Sequence, residues 1–199
     1  PEHYTDGEQN VDYVLTTTEI TRMIKEAGID LSRMPSEALD MPFGLSSGAG
    51  AIFGVTGGVT EAVLRCLMDS SSEDVLEEIS FTGIRGTEGI KEAVVDYKGR
   101  ELRLSVVNGL KNADDLLKKI RDGEAHYDFV EVMACKRGCM AGGGQPVPIG
   151  PRTKKARFEG IYKIDSVAQI KRSNENPIIQ NLYDGILKGK EHKLLHNEW

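Results

Sequence analysis

Cys135 and Cys139 stand four residues apart, and Gly142, Gly143 and Gly144 follow after Met140 and Ala141. Thiolate is a soft ligand, the kind that iron–sulfur clusters and zinc take. A strand end that runs into a glycine-rich turn aims two thiolates at one point. Backbone N–H groups left open in such a turn hydrogen-bond to cluster sulfur and tune its potential. The spacing alone leaves a metal role and a chance pairing both open. A four-iron cluster or a structural zinc takes four protein ligands. This pair offers two, so a bound cluster would need further ligands from elsewhere. The third cysteine, Cys66, falls on the apolar stripe of a predicted helix, where a free cysteine is more often a small core residue. His3, His126, His192 and His196 are scattered, and none lies at ligand spacing from the cysteines. Three cysteines do not describe a disulfide framework, and no secretory signal precedes them, so the expectation is free thiols in a reducing cytoplasm.

A second pattern runs from Gly48 to Gly58, with five glycines in eleven residues. Glycines permit positive φ and close approach of backbone to a ligand. A helix N-terminus behind such a loop favours an anion. A nucleotide site is one reading. Against it, no G-x-G-x-x-G fingerprint and no Walker lysine is present. The plain alternative is a tight strand-to-helix turn.

The elements that would carry these residues follow from periodicity. Val11 to Leu15 reads as a short strand. Thr18 caps a predicted helix over 19–27, with Ile20, Met23, Ile24 and Ala27 on one face and Gly28 closing it. Residues 30–47 form a long irregular loop. Val59, Ala62, Val63 and Cys66 mark the apolar face of the helix behind the glycine loop. Residues 79–84 read as a strand, and 93–97 with 102–107 as a hairpin about Lys98-Gly99-Arg100. Asn112 caps a helix through Arg121. Tyr127 to Met133 is a buried strand that delivers the cysteine pair. Pro146 to Pro151 is a linker. Helices over 153–165 and 176–187 follow, the second capped by Asn174 or Asn176 with Pro177 at its first position. A short amphipathic stretch, 192–196, ends the chain. The basic run Arg152 to Lys155 is the solvated face of a helix start. Strands alternating with helices predict an α/β layered fold, and the hairpin makes its sheet mixed.

With 199 residues the chain can bury a real core. Its net charge of −6 speaks against nucleic acid as the main partner. No apolar run approaches the roughly 20 residues of a bilayer span, so no membrane partner is expected. The chain starts at Pro1 rather than Met, which a segment cut from a longer protein, or a processed one, explains.

Two stretches carry a resemblance. Ser47-Gly-Ala-Gly-Ala-Ile-Phe-Gly-Val-Thr-Gly-Gly-Val-Thr-Glu-Ala-Val-Leu-Arg65 resembles a signature of the iron-only (FeFe) hydrogenases. Phe129-Val-Glu-Val-Met-Ala-Cys-Lys-Arg-Gly-Cys-Met-Ala-Gly-Gly-Gly-Gln-Pro146 resembles their last cysteine motif, and the spacing between the two fits. The tail, with Asn174-Glu-Asn-Pro, Leu182-Tyr183 and His192-Lys-Leu-Leu-His196, is similar to the family's small-subunit segment. The resemblance covers nearly the whole chain.

It implies one lobe of a two-lobed hydrogenase domain over 1–148 and a small-subunit-like helical tail over 149–199. It implies a 4Fe-4S cubane joined to a diiron centre, the H-cluster. Cys135 and Cys139 would be the last two of four cubane ligands, with Cys139 bridging to the diiron site. Met133 would pack beside the diiron centre, and Phe53 and Gly54 would line the same pocket. The chemistry implied is reversible reduction of protons to hydrogen, with a ferredoxin-like electron carrier. The implied partner is the N-terminal remainder of the same hydrogenase, which holds the family's two earlier cysteine motifs, and no catalytic set is complete in this chain. Lys136-Arg137 stands where many members have smaller residues, and Thr60 replaces a common Met. Two other readings share the cysteine motif: a non-catalytic hydrogenase-like scaffold for iron–sulfur assembly, and a hydrogen-sensing domain of a signalling protein.

Overall fold

The structure is a computed structural model that describes residues 4–5, 8–9, 11–37, 40, 44–67, 89–136, 138–147 and 150–195. Its centre is a three-stranded mixed sheet. Strands β3 (Ile90–Tyr97) and β4 (Arg100–Asn108) pair antiparallel from Ile90 opposite Val107 to Tyr97 opposite Arg100. Lys98 and Gly99 make the two-residue turn, both at positive φ (54° and 79°), as a right-twisted hairpin demands. Strand β5 (Phe129–Met133) joins β4 in parallel, from Leu104 opposite Phe129 to Asn108 opposite Met133. The crossover between β4 and β5 is helix α4 (Leu110–Arg121). Earlier in the chain, Tyr4–Thr5 (β1) and Glu8–Gln9 (β2) form a separate antiparallel pair.

Alternation along β4 sorts its side chains to two faces. Leu104 and Val106 meet Leu64 of helix α3 (Gly58–Leu67), with Val95 and Phe129 beside them. Val107 faces the other way, onto Ala113 and Leu116 of α4. The result is three layers, helix on sheet on helix. Val106, Val107 and Leu116 are almost wholly withdrawn from solvent, so the sheet is covered on both faces.

A third apolar cluster lies outside this sandwich. Ile52 of the short helix α2 (Gly48–Ile52) and Val55 pack with Met140 against Phe158, Ile161 and Tyr162. Those three belong to α5 (Pro151–Val167), the long helix of the tail. Helices α6 (Pro177–Asp184) and α7 (Glu191–Leu195) complete the tail. No helix among the described residues is long and apolar enough to cross a membrane.

Several expectations need correction. Val11 to Leu15 is not a strand. No neighbour pairs with it among the described residues, and Tyr13 and Val14 are 86% and 87% exposed. Helix α1 is Thr17–Glu26, capped by Thr16 rather than Thr18. Glu19 closes a capping box onto Thr16, accepting from its N–H and hydroxyl. Gly48 to Ile52 is a helical turn capped by Ser47, so the glycine run is only partly loop. Helix α4 starts at Leu110 behind Gly109, and Asn112 sits inside it, donating to the Asn108 carbonyl. Cys66 is exposed, not core. The buried positions of α3 are instead Gly58, Thr60, Glu61, Ala62, Leu64 and Arg65. The strand expected over 79–84 lies outside the described residues, as do Arg137, His3 and His196.

Candidate metal centre

The cysteine pair sits where β5 ends. After Met133 the chain turns through Cys135, passes Gly138 at φ 75° and enters a 3-10 turn, Cys139–Ala141. Gly138 N–H donates to the Cys135 carbonyl at 3.1 Å, and Gly142 N–H to that of Cys139 at 3.2 Å. Backbone bonds thus curl the segment so that both cysteines lie on one compact loop. Both are free and solvent-exposed. Gly142 faces the first of them: a Cβ placed there would stand 3.5 Å from Cys135 Sγ.

The turn after α2 leans on this loop. Met140 N–H donates to the Gly54 carbonyl at 3.2 Å. A Cβ on Gly138 would come within 2.9 Å of Gly54 O and 3.0 Å of Thr56 N. Only glycine fits that crossing, and its φ is one that other residues rarely adopt. Gly54 and the cysteine loop, predicted from far-separated motifs, are therefore in direct backbone contact. Phe53 stands beside them but is 48% exposed. Met133 is half-buried, and its carbonyl accepts from Gly109 N–H at 2.7 Å.

Two residues that the sequence reading passed over brace this arrangement. Glu131, in the middle of β5, is buried. Its Oε1 accepts from Gly57 N–H at 2.7 Å, and its Oε2 from Thr60 N–H at 2.7 Å and Thr60 Oγ1 at 2.8 Å. This is the anion that the glycine loop and helix start were built to receive, and the chain supplies it itself. From the tail, Arg157 donates to the Met140 carbonyl (Nη1, 2.9 Å) and to the Pro146 carbonyl (Nη2, 2.9 Å). One planar guanidinium thereby spans the glycine run. A carboxylate inside an otherwise apolar strand was the available signal for Glu131. Arg157 left none, because nothing in its own segment says what it reaches.

Helix α1 meets the far end of the same loop. Thr18 donates from both N–H and Oγ1 to the Gly144 carbonyl, at 2.9 and 2.8 Å. Gln145 Nε2 reaches Thr17 Oγ1 at 3.1 Å.

At the other end of α3 a second buried cluster ties the tail down. Arg65 pairs with Glu61 through Nη2 and with Asp165 of α5 through Nη1 and Nη2, at 2.7 and 2.8 Å for the latter. Burial pushes the Arg65 guanidinium down. Its hydrogen bonds and charge contacts with Asp165 and Glu61 outweigh that, so its pKa is raised and it stays charged.

A largely apolar cleft of about 500 Å³ is lined by α3 residues such as Val63 and Leu67, by Tyr97 and Lys98, and by Phe129. Phe129 begins β5, whereas the cysteines follow its end, so this cleft lies toward the opposite end of the strand from the thiols. No cluster of three or more potential metal-ligating His, Cys, Asp or Glu residues occurs among the described residues. The donor set fits an iron–sulfur group in kind, since two free accessible thiols sit on a glycine-rich loop. In number it is half of the four thiolates that a cubane takes.

Fold and loop together define a thiolate-bearing α/β lobe with a helical tail braced on it. The chain belongs to the iron-only hydrogenase family: residues 1–143 match the family described as iron only hydrogenase large subunit, C-terminal domain, and residues 151–199 match iron hydrogenase small subunit. The NADP-reducing hydrogenase subunit HndD of Solidesulfovibrio fructosivorans is 40% identical over 204 residues, covering 100% of this chain and 35% of that protein. The cytosolic iron-sulfur assembly component 3 of Mus musculus is 30% identical over 203 residues, covering 96% of this chain and 41% of that protein. A solved FeFe-hydrogenase of Chlamydomonas reinhardtii matches with a TM-score of 0.72 and 36% identity, over 98% of this chain and 57% of that one. The chain thus spans well under two thirds of each relative.

Proposed function

We propose that the chain is the C-terminal part of an iron-only hydrogenase, an enzyme that interconverts protons and hydrogen using electrons from a ferredoxin-like carrier in the cytoplasm. The observation that carries this reading is the backbone contact between the Gly54 turn and the Cys135–Cys139 loop, because it brings both resemblance motifs to one place. Cys135 and Cys139 would supply two of the four cubane thiolates of the H-cluster. The remaining two thiolates come from the N-terminal remainder of the same protein. When bound, the cubane would relay electrons from the carrier, and the diiron centre would supply the metal at which hydrogen chemistry occurs. Backbone N–H groups of Gly143 and Gly144 would be the donors available to cluster sulfur. Met133, Phe53 and Gly54 shape the pocket on this side. Phe53 is half-exposed, so the other lobe completes the wall that keeps water out. Residues 1–148 act as the lobe and 149–199 as its small-subunit-like brace.

In the full-length protein, Cys139→Ser or Cys135→Ser lowers hydrogen evolution by about 100-fold or more, since loss of even an outer partner of a metal ligand costs about 10–100-fold. Unchanged turnover sinks the assignment of the ligand. The isolated 199-residue chain holds no stable four-iron cluster; hydrogen evolution from it without a partner would overturn the half-site reading. The match to an iron–sulfur assembly component supports a second reading, a non-catalytic scaffold. A full-length protein that binds iron but neither makes nor consumes hydrogen selects it. Greater identity to a hydrogenase, 40% against 30%, favours the first.

A further inference from the structure

We propose that Glu131 is the positioning residue of this centre: it locks the Phe53–Thr56 turn against the cysteine loop and fixes a buried negative charge behind that loop. The proposal rests on the hydrogenase reading only for what the loop holds.

Both Glu131 oxygens accept from backbone N–H groups, which cannot themselves accept. Each oxygen thus faces a fixed N–H donor, an arrangement that suits an acceptor-only group. Its side chain is withdrawn from water, and among the described residues its hydrogen-bond partners are the N–H groups of Gly57 and Thr60 and the Thr60 hydroxyl, with no ion pair to Lys or Arg. Donors at the start of α3 face this side chain, and the helix N-terminus adds to them. Glu131 therefore performs from another element the capping that a local Ser or Asp usually performs.

What it caps is one side of a closed ring. The turn 53–57 is anchored at Gly57 by Glu131 and at Gly54 by the Met140 N–H. The strand that carries Glu131 runs on, four residues later, into Cys135. The loop from Cys135 returns to Gly54 through Gly138 and Met140. Any displacement of Phe53 and Gly54 relative to the cysteines must break a bond in this ring. An apolar residue at 131 would leave Gly57 and Thr60 N–H groups buried without acceptors.

The test uses the full-length protein. Glu131→Gln keeps shape but turns an N–H donor toward an N–H donor. In cluster-free protein, amide hydrogen exchange at Gly57 and Thr60 should accelerate by about tenfold or more. In the loaded protein the cluster's electron paramagnetic resonance signature shifts and its midpoint potential rises, because a buried negative charge is gone. Thr60→Val retains the charge and removes one donor to it, so the midpoint moves the other way, by less. A purely structural residue gives no such opposite signs. Wild-type exchange rates, or an unaltered signature and midpoint in a loaded Glu131→Gln protein, overturn the proposal. If Glu131→Gln does not fold, the sign of the Thr60→Val shift decides. A wild-type protein that takes up no iron–sulfur cluster fails the hydrogenase reading instead, and the exchange measurement still judges the clamp.

Discussion

Helix α3 is held at both ends by buried carboxylates, and the two ends solve the same electrostatic problem differently. At its start Glu131 is met, among the described residues, by N–H and O–H donors. At its end Arg65 meets Asp165 of the tail with a full charge and reaches back one turn to Glu61. The first arrangement faces the cysteine loop; the second faces the tail. Dipolar donors are fixed in the backbone and hold geometry without carrying mobile charge. An ion pair tolerates adjustment but ties two elements 100 residues apart in sequence. The contrast assigns positioning to one end of the helix and tethering to the other.

The sharpest way to break this contrast is at the tether. Arg65→Met leaves Glu61 and Asp165 buried with their cation removed, a change that costs about 3–5 kcal/mol. Arg65 is 3% exposed, so solvent cannot take over its role. Urea unfolding of the chain should show that loss. A change below about 1 kcal/mol would mean that the cluster adds little beyond what it cost to bury.

At the other end the expected effect is smaller. Thr60→Val removes one hydroxyl donor and preserves the two backbone bonds to Glu131. Hydrogen bonds to charged groups contribute about 1.5–3 kcal/mol, and the loss should lie near the lower figure because the amides remain. The same unfolding measurement ranks the two variants. If Thr60→Val proved the more damaging, the positioning end would also be the main tether.

These two ends also mark the limit of what the sequence discloses. The hairpin about Lys98-Gly99 was legible because turn chemistry is local. So were Pro177 at the helix start, with Asn176 one of the two caps offered, and the mixed α/β layering. The start of α1 was legible only in part: Thr16, Thr17 and Thr18 all qualify as caps, and Glu19 three residues on selects Thr16. The buried face of α3 was misread. Apolar periodicity points to Val59, Ala62, Val63 and Cys66, but Thr60, Glu61 and Arg65 are buried and Cys66 is exposed. Polar residues enter a core only with their partners, and here the partners lie 71 and 100 residues away. Val11 to Leu15 fails for the opposite reason. Its composition suits a strand, yet composition does not supply a neighbour to pair with. For the centre itself, the two cysteines and the glycine turn were readable from residue type and spacing. The side chains that hold them in place, Glu131 and Arg157, depend on contacts that only the fold creates.

The finest test of the two-ended view is whether the ends act independently. Thr60 and Arg65 are five residues apart on one helix, about 7.5 Å along its axis. They share no hydrogen-bond partner: Thr60 bonds Glu131, and Arg65 bonds Glu61, Asp165 and the Lys171 carbonyl. Sites that far apart without shared partners add within about 0.5 kcal/mol. The double variant Thr60→Val with Arg65→Met should therefore lose the sum of the two single losses. Equilibrium unfolding of the four proteins of the cycle measures the remainder. Glu61 is the one residue placed to couple them, since it neighbours Thr60 in the chain and pairs with Arg65. A coupling well above 0.5 kcal/mol would show that strain at the tether reaches the turn beside the cysteines. The tail would then tune the centre through α3 as well as through Arg157.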